Sequence, residues 1–430
     1  MGTALTGQQV GSSGTYFDDA LKIHYLPVIK EQFKKKSVLM ENVKKTAKGL
    51  DTSGRFIQGA VSKAHTTGLG AKPEGYTLPT PGYEGLETFT VYMKSNYARI
   101  QVSGQVIRAS RDGRGALVSA FTRETQSATL GLRKDVNRQL FGNGTGVLCL
   151  TNGSASSTTL TVDSLFGLAY TSPTSTSDVS NPVAPTKYLK AGMIIDVGDA
   201  TTYTTIDVDS KTITSRDSTV VCTLTSNSST WDDNGYVMRE DAAAQEMMGL
   251  RGIVDDNSTG GLDALQGITR STTGNDYWNS NIVDTGSVTA PTTLTEELMQ
   301  QAASEAEEND GELNLIVTTF GLRDSYAKLL TPDKRFVNTL DLKGGFKGLS
   351  FASGGDIPMV ADTDCPPYFM FFLDTSSLYM GESLPLAWMD DDGSVMSRVT
   401  NYDAFEATLR LYANLFTDRP VSNTSLSFVQ

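Results

Sequence analysis

The sequence predicts an α+β protein organised around one overlong helix, with a long glycine-rich hairpin before it and a small β-barrel inserted after it. Three observations carry this. From Arg114 to Phe141, Leu117, Phe121, Thr125, Ala128, Leu132, Val136 and Leu140 recur at steps of three and four, one stripe of a helix. From Thr66 to Gly85, the run TTGLGAKPEGYTLPTPGYEG is too rich in Gly and Pro for a helix or a central strand. From 148 to 240, Ser, Thr and Asp dominate and only short strand signals remain.

The 430 residues suffice for two to four domains, and 39% apolar content supplies real cores. A net charge of −13 argues against a protein that coats nucleic acid by charge. Cys149, Cys222 and Cys365 are too widely spaced for a disulfide framework or a CxxC metal site and fit a reducing compartment. No apolar run reaches the ~20 residues of a membrane helix, and the polar start MGTALTGQQVGSSG lacks a signal core.

In order along the chain, residues 1–15 read as a flexible arm, and Tyr16 to Lys36 as a helix bent at Pro27. Lys30, Lys34, Lys35, Lys36, Lys44, Lys45 and Lys48 make this the most basic stretch. It is either a contact for an acidic partner (nucleic acid or a neighbouring subunit) or a solvated face that balances an acidic body. Arg55 to Lys63 reads as a weak strand. Phe89, Val91 and Met93, then Ile100, Val102 and Val106, alternate with polar residues as strands do. Together they form a long hairpin with a loose tip, feeding the long helix. A two-stranded hairpin is marginal alone, so it must pack on something else, such as another subunit.

The helix would span ~42 Å at ~1.5 Å per residue. Asp112 or Ser110 can cap its start, and Gly142 to Gly146 (GNGTG) can stop it. Arg123, Glu124, Arg133, Lys134, Asp135 and Arg138 give it polar outer faces, so it should lie half buried along a sheet. In the barrel region, strands are expected at Thr158–Val162, Met193–Val197, Thr202–Val208, Lys211–Thr214 and Thr219–Thr225, with turns at Gly198-Asp199 and Asp209-Ser210 and a Ser/Thr/Pro linker from Ser172 to Pro185. The alternative is one long disordered insertion. Residues 241–385 read as α/β: a capping box from Thr293 to Glu296 opens a helix to Asn309, Leu313 to Thr318 is a strand, and Phe320 to Leu330 is a second helix. GLSF, IPMVAD and YFMFFLD follow as strands, and from Phe405 to Leu415 every odd residue is apolar, a strand with one wet face that could carry the long helix on its dry one.

Catalytic parts are scarce. His24 and His65 are the two histidines, and neither sits in a metal-ligand spacing. There is no GxSxG elbow, and Gly344, Gly345 and Gly348 lack the Lys-Ser/Thr of a P-loop. Asp390, Asp391 and Asp392 could suggest calcium, but an EF-hand from Asp390 would need Gly at Val395 and Glu at Asn401. A loop from Asp255 fits better until its twelfth residue, Gln266.

An arm, a glycine-rich hairpin, a long helix, an α/β region and a returning strand, in that order, resemble a tailed-phage major capsid protein of the Hong Kong 97-like fold. The phrases SVLMENV, YARIQVSGQVIRASR, LKAGMIIDV, EMMGLRGIVDD, LRDSYAKLLTPDKRFVNT, LKGGFKGLSF, IPMVADTDCPP and WMDDDGSVMSRV look like family segments. The resemblance covers nearly the whole chain and has no catalytic signature to test.

The resemblance implies an arm and helix over 1–50, an extended hairpin over 51–97, a peripheral domain with its spine helix over 98–147, an inserted barrel over 148–240, an axial domain over 241–385 and C-terminal strands over 386–430 that return to the peripheral domain. Hairpin and arm contacts to a neighbour are expected from Lys63, Lys72, Tyr76, Phe89, Tyr92 and Lys94, and spine packing from Leu117, Phe121, Leu132, Val136 and Leu140. Some members crosslink a hairpin lysine to an asparagine; Lys63, Lys72 and Asn338 are available here, although such lysines are ordinarily just solvated. The implied function is a non-enzymatic shell of hexamers and pentamers around double-stranded DNA that is not read by sequence. It would be assembled in the host bacterial cytoplasm and found in the virion, without cofactor or membrane. Its implied partners are a scaffolding protein supplied in trans, since about fifteen residues precede the first helix, a portal protein and a decoration protein. Rival readings are a metal-dependent hydrolase using Asp255, Asp390 or Asp392, and a phage tail or surface-binding module, which explains the Ser/Thr-rich barrel but not the helix and hairpin.

Overall fold

The computed structural model describes residues 37–45, 51–52, 54–104, 114–167, 184–226, 229–256, 262–286, 291–329, 340–341, 347–352, 356–391 and 393–429, with the backbone alone for 44–45, 51–52, 114–123, 340–341, 347–350, 352 and 356. The expected helix at 16–36, Val106, most of the 172–185 linker, His24, Asn338, Asp392 and the side chains of Leu117 and Phe121 lie outside what is described.

The alternating apolar residues near the C-terminus build the sheet on which the long helix rests. Strand Ala404–Thr417 pairs antiparallel with Lys94–Ser103 on one side and with Leu378–Trp388 on the other. Lys44–Lys45 and Ser397–Arg398 complete this five-stranded sheet. Its dry face presents Ile100, Ala407, Leu409, Leu411 and Ala413, and its wet face Tyr97, Arg99, Glu406 and Arg410. Helix Arg114–Gln139 packs along Lys94–Ser103. Leu132, Val136 and Leu140 are buried in the core, and Thr125 is buried on the same stripe. The glycines after it behave as expected, Gly144 and Gly146 adopting φ of 79° and 88°. One assignment is overturned: Arg138 and Asp135, read as outer-face residues, are enclosed, because the barrel and the loop that follows it close over the helix's last turn.

The hairpin pairs Phe56–Ala64 with Gly85–Tyr92, in register from Phe56↔Tyr92 to Ser62↔Leu86. Asp51–Thr52 adds a short third strand. The third run read from the sequence, around Ile100, belongs instead to the helix-bearing sheet.

The run FMFFL, Phe369–Leu373, is buried on both faces, which fits the middle of a covered sheet. The seven strands run Asn281–Asp284, Thr424–Ser427, Phe369–Leu373, Leu315–Thr318, Asp356–Ala361, Lys347–Ala352, Leu340–Asp341. Ile316, Met359, Met370 and Phe372 face helices Glu296–Glu308 and Phe320–Leu329, burying against Met299, Ala302, Leu322 and Tyr326. Leu315, Val317, Val360, Phe371 and Leu373 face the other way, into the core shared with the long helix. Two expectations change. The cap of the first helix is Thr295, whose hydroxyl accepts from the Leu298 N–H, rather than Thr293. The C-terminal segment divides: Ala404–Thr417 joins the helix-bearing sheet, but Thr424–Ser427 inserts beside Phe369–Leu373 in the seven-stranded one. Leu378–Trp388, expected with the α/β unit, crosses in the opposite sense.

Residues 147–239 close a six-stranded barrel in the order Val221–Leu224, Thr159–Leu165, Val147–Thr151, Tyr236–Arg239, Ile194–Gly198, Ile206–Arg216. Closure removes the exposed edges that so polar a sheet would otherwise present. Leu160, Val162, Ile195, Val197, Val208, Ile213, Trp231 and Val237 fill it. The turn expected at Asp209-Ser210 is instead a bulge within one strand: Ser210 takes φ 50° and donates its N–H to Asp196 Oδ1 at 2.9 Å, so the strand bends around the barrel without ending.

Candidate assembly surface

The hairpin has a fixed root and a bare tip. At the root, alternation along Gly85–Tyr92 sends Glu87, Phe89 and Val91 toward the body and Leu86, Thr88 and Tyr92 outward. Phe89 is 1% exposed, its ring 5.9 Å from Trp278 and 6.2 Å from Phe416. The Thr90 N–H donates to Gln266 O at 2.8 Å, and the Tyr277 hydroxyl to Glu87 Oε2 at 2.7 Å. That hydroxyl, more than the ammonium of Lys63, holds the Glu87 carboxyl below the usual carboxylate range. Lys63 Nζ donates to Asn275 Oδ1 at 2.7 Å.

These contacts correct part of the expected arm surface. Phe89 faces the chain's own core because it lies on the inward parity of its strand. Lys94 is half buried and donates to Ala244 O at 2.6 Å, and burial lowers the pKa of its ammonium. Lys63 is engaged within its own chain. Lys72, Tyr76 and Tyr92 are exposed.

Beyond the root, residues 65–84 form no regular secondary structure, but their two legs touch. A Cβ on Gly82 would stand 2.7 Å from Gly68 N, so only glycine lets the legs close. This tip carries Leu69, Tyr76, Leu78 and Tyr83 into solvent, Leu78 at 81% and Tyr83 at 91% exposure. Four large apolar side chains are thus exposed on one loop, more than the scattered single ones ordinary on a protein surface.

The second feature is the junction at the end of the long helix, where helix, barrel and seven-stranded sheet meet through polar side chains. Arg138, with a side chain 2% exposed, pairs with Asp135 at 3.1 Å and with Glu246, and its guanidinium lies 5.6 Å from the Tyr188 ring centroid. Arg239 of the barrel forks onto Asp135, Nη1 to Oδ2 at 2.9 Å and Nη2 to Oδ1 at 2.6 Å. Burial alone would raise the Asp135 carboxyl; the Arg138 and Arg239 guanidiniums outweigh it and hold the group below its ordinary value. Asn137 donates its amide to Asp362 at 2.9 Å and Asp364 at 2.8 Å and accepts from Ser37 at 2.5 Å. Tyr188 and Lys187 of the barrel reach Asp364 at 3.0 and 3.3 Å. Asp135 and Arg138 were visible in the sequence only as surface charges; no periodicity distinguishes an enclosed ion pair from a solvated one.

Of the carboxylates first considered for metal chemistry, Asp255 and Asp391 are engaged by other groups of the chain. Asp255 is buried, accepts the backbone N–H groups of Asp256 and Leu262, and lies 3.8 Å from Arg270. Asp391 is forked by Arg410 at 2.6 and 2.7 Å. Among the described residues, the carboxylates that converge are Asp199, Asp207 and Asp232, within 4.8 Å of one another at one end of the barrel and not singled out by spacing. His65 lines an open cleft of about 730 Å³ between the hairpin and the residues around Tyr379 and Asp418. No helix among the described residues is long and apolar enough to cross a membrane.

No family model and no curated protein sequence matches the chain. Among solved structures it is similar to the cyanophage A-1(L) capsid asymmetric unit, at 11% identity over 93% of both chains, with a TM-score of 0.54. It also aligns with the capsid of a native GTA particle, at 10% identity over 91% of this chain and 90% of that one, with a TM-score of 0.45. For the capsid of Myoviridae phage XM1 the figures are 9%, 91%, 90% and 0.42. At these identities the likeness is one of fold, and the first alignment carries it. With helix, hairpin, the two main sheets and barrel in place, the chain has a Hong Kong 97-like capsid fold.

Proposed function

We propose that the chain is the major shell protein of an icosahedral tailed-phage-type head, a structural subunit rather than an enzyme. The observation that carries this reading is the division of the hairpin: its root is bolted to the body by Phe89 and Trp278, while its tip holds Leu78 and Tyr83 out in water, where only another molecule can cover them. Fold likeness to a cyanophage capsid subunit over 93% of both chains supports the same reading. In it, copies associate as hexamers and pentamers, with the seven-stranded unit toward the symmetry axis and the long helix and its sheet at the periphery. The tip lies across a neighbouring copy through Lys72 and Tyr76, Tyr92 adds a contact from the exposed side of the root, and the barrel is an insertion available to a decoration protein. Scaffolding and portal proteins act in trans. The net charge of −13 makes subunits repel at long range, but salt screens this beyond ~8 Å and apolar contact closes the gap. The same charge keeps enclosed DNA from adhering to the wall.

Negative-stain electron microscopy of the protein, alone and with a co-expressed scaffold, tests the reading. Closed shells, or rings of five and six, are the expected result. A monodisperse monomer under both conditions would overturn it.

A further inference from the structure

The barrel and the body keep separate apolar cores. Leu160, Val197 and Trp231 belong to one cluster; Val136, Leu140 and Leu250 belong to another. What crosses between them at the end of the long helix is charge. Asp135 and Arg138 on the helix, Arg239 at the barrel's exit strand and Glu246 on the loop beyond it sum to zero, two cations against two anions, with both Arg138 and Glu246 enclosed. Asp135 is the shared member. It takes the two-point fork of Arg239, the pair with Arg138, and the Gln139 amide at 3.0 Å. Planar guanidinium forks fix angle as well as distance, which a patch of apolar contact does not.

We propose that the Asp135–Arg239 fork is a strap that sets the barrel's angle to the long helix, so that the barrel is a rigid lever moving wherever the helix end moves. In a shell whose helices shift, each outer barrel would then shift with its helix. That consequence rests on the capsid reading, but the coupling itself belongs to the single subunit. Other links remain, among them Lys187 to Asp364 and to the Thr363 carbonyl, Tyr188 to Asp364, Arg251 to the Phe166 carbonyl and Arg138 over the Tyr188 ring; they keep the barrel attached, but none is a two-point guanidinium–carboxylate fork. Loss of the strap therefore frees the angle without detaching the barrel.

The test is a distance distribution by electron–electron double resonance between spin labels at Ser127→Cys on the helix and Thr214→Cys on the barrel, both exposed positions. Labelled subunits are diluted into unlabelled full-length protein, and the three native cysteines are buried. Wild type gives a narrow distribution. Arg239→Gln and Asp135→Asn each at least double its width, and the two together broaden it no further than either alone, because both cut the same link. Near-ultraviolet circular dichroism establishes that the barrel stays folded. Wild-type width in both single variants, or additive broadening in the double variant, overturns the proposal. Should Asp135→Asn fail to fold, Arg239→Gln, which leaves the helix pair Asp135–Arg138 in place, decides alone. Because the measurement needs no shell, a failure here is distinguishable from a failure of the capsid reading.

Discussion

Phe89 of the hairpin stacks on Trp278, ring centroids 5.9 Å apart with planes at 30°, and this pair anchors the packed root of the hairpin below its exposed tip. Phe416 closes the other side at 6.2 Å. Truncating so enclosed a ring leaves a cavity among residues that cannot collapse into it. Phe89→Ala should cost about 3–5 kcal/mol of subunit stability, read as a lowered urea midpoint at unchanged slope. A midpoint within error of wild type would mean that the root is not packed as described.

The tip should behave in the opposite way. Leu78→Ser with Tyr83→Ser removes apolar surface that contacts water in the lone subunit, so the unfolding free energy should change by no more than about 0.5 kcal/mol. Assembly should suffer: shells or capsomers in the micrograph fall to a small fraction of wild type. If the doubly substituted protein assembles as well as the parent, the tip is not the covering surface.

Much of this was legible in the sequence because it is periodic. The stripe through Leu132, Val136 and Leu140 and the alternation through Leu409, Leu411 and Ala413 repeat often enough to announce which side is dry. Phe89 shares its inward parity with Val91, a pattern present in the sequence, but alternation alone does not say which body the inward side packs on. Arg138 and Asp135 were out of reach: their burial depends on Glu246 and Arg239, residues 108 and 104 positions away, and charge carries no sign of enclosure. Thr424–Ser427 is not legible because a four-residue strand with one apolar side chain, Leu426, among Thr and Ser has too little pattern of its own and is fixed by Asn281–Asp284 and Phe369–Leu373 on either side.

On barrel strand Thr159–Leu165, Asp163 is 4% exposed and its Oδ1 has no hydrogen-bond partner; burial first, then the nearby Asp233 carboxylate, push its pKa up to about 7. The unfolded chain gives up that proton near the ordinary value of about 4. Between those limits the folded state binds more protons, so stability must fall as pH rises from about 4 to about 7. Asp135 has the opposite sign: its carboxyl is held low, so its contribution is lost only as pH falls through the low end of the carboxylate range. Thermal melting should therefore show the wild-type barrel more stable at pH 5 than at pH 8, with the difference reduced in Asp163→Asn. An identical pH slope in that variant would remove Asp163 as the cause.

The loop after the barrel reaches the helix end by backbone contact, with Leu250 N–H donating to Leu140 O at 2.7 Å. Gly249 makes this approach possible. A Cβ there would stand 2.4 Å from Gln139 O and 2.6 Å from Gly142 O, both backbone atoms of the turn that ends the helix. The backbone of Gly249 is extended, at φ −127°, so alanine would meet no torsional objection; the conflict is overlap alone. Relief requires the loop to withdraw, which lengthens the Leu250 hydrogen bond and loosens Glu246 on Arg138. Gly249→Ala should cost about 1–3 kcal/mol by denaturant unfolding. It should also raise hydrogen exchange at the Leu250 amide while the hairpin amides stay protected. Equal protection at Leu250 in both proteins would show that the helix end has room that the described backbone denies it.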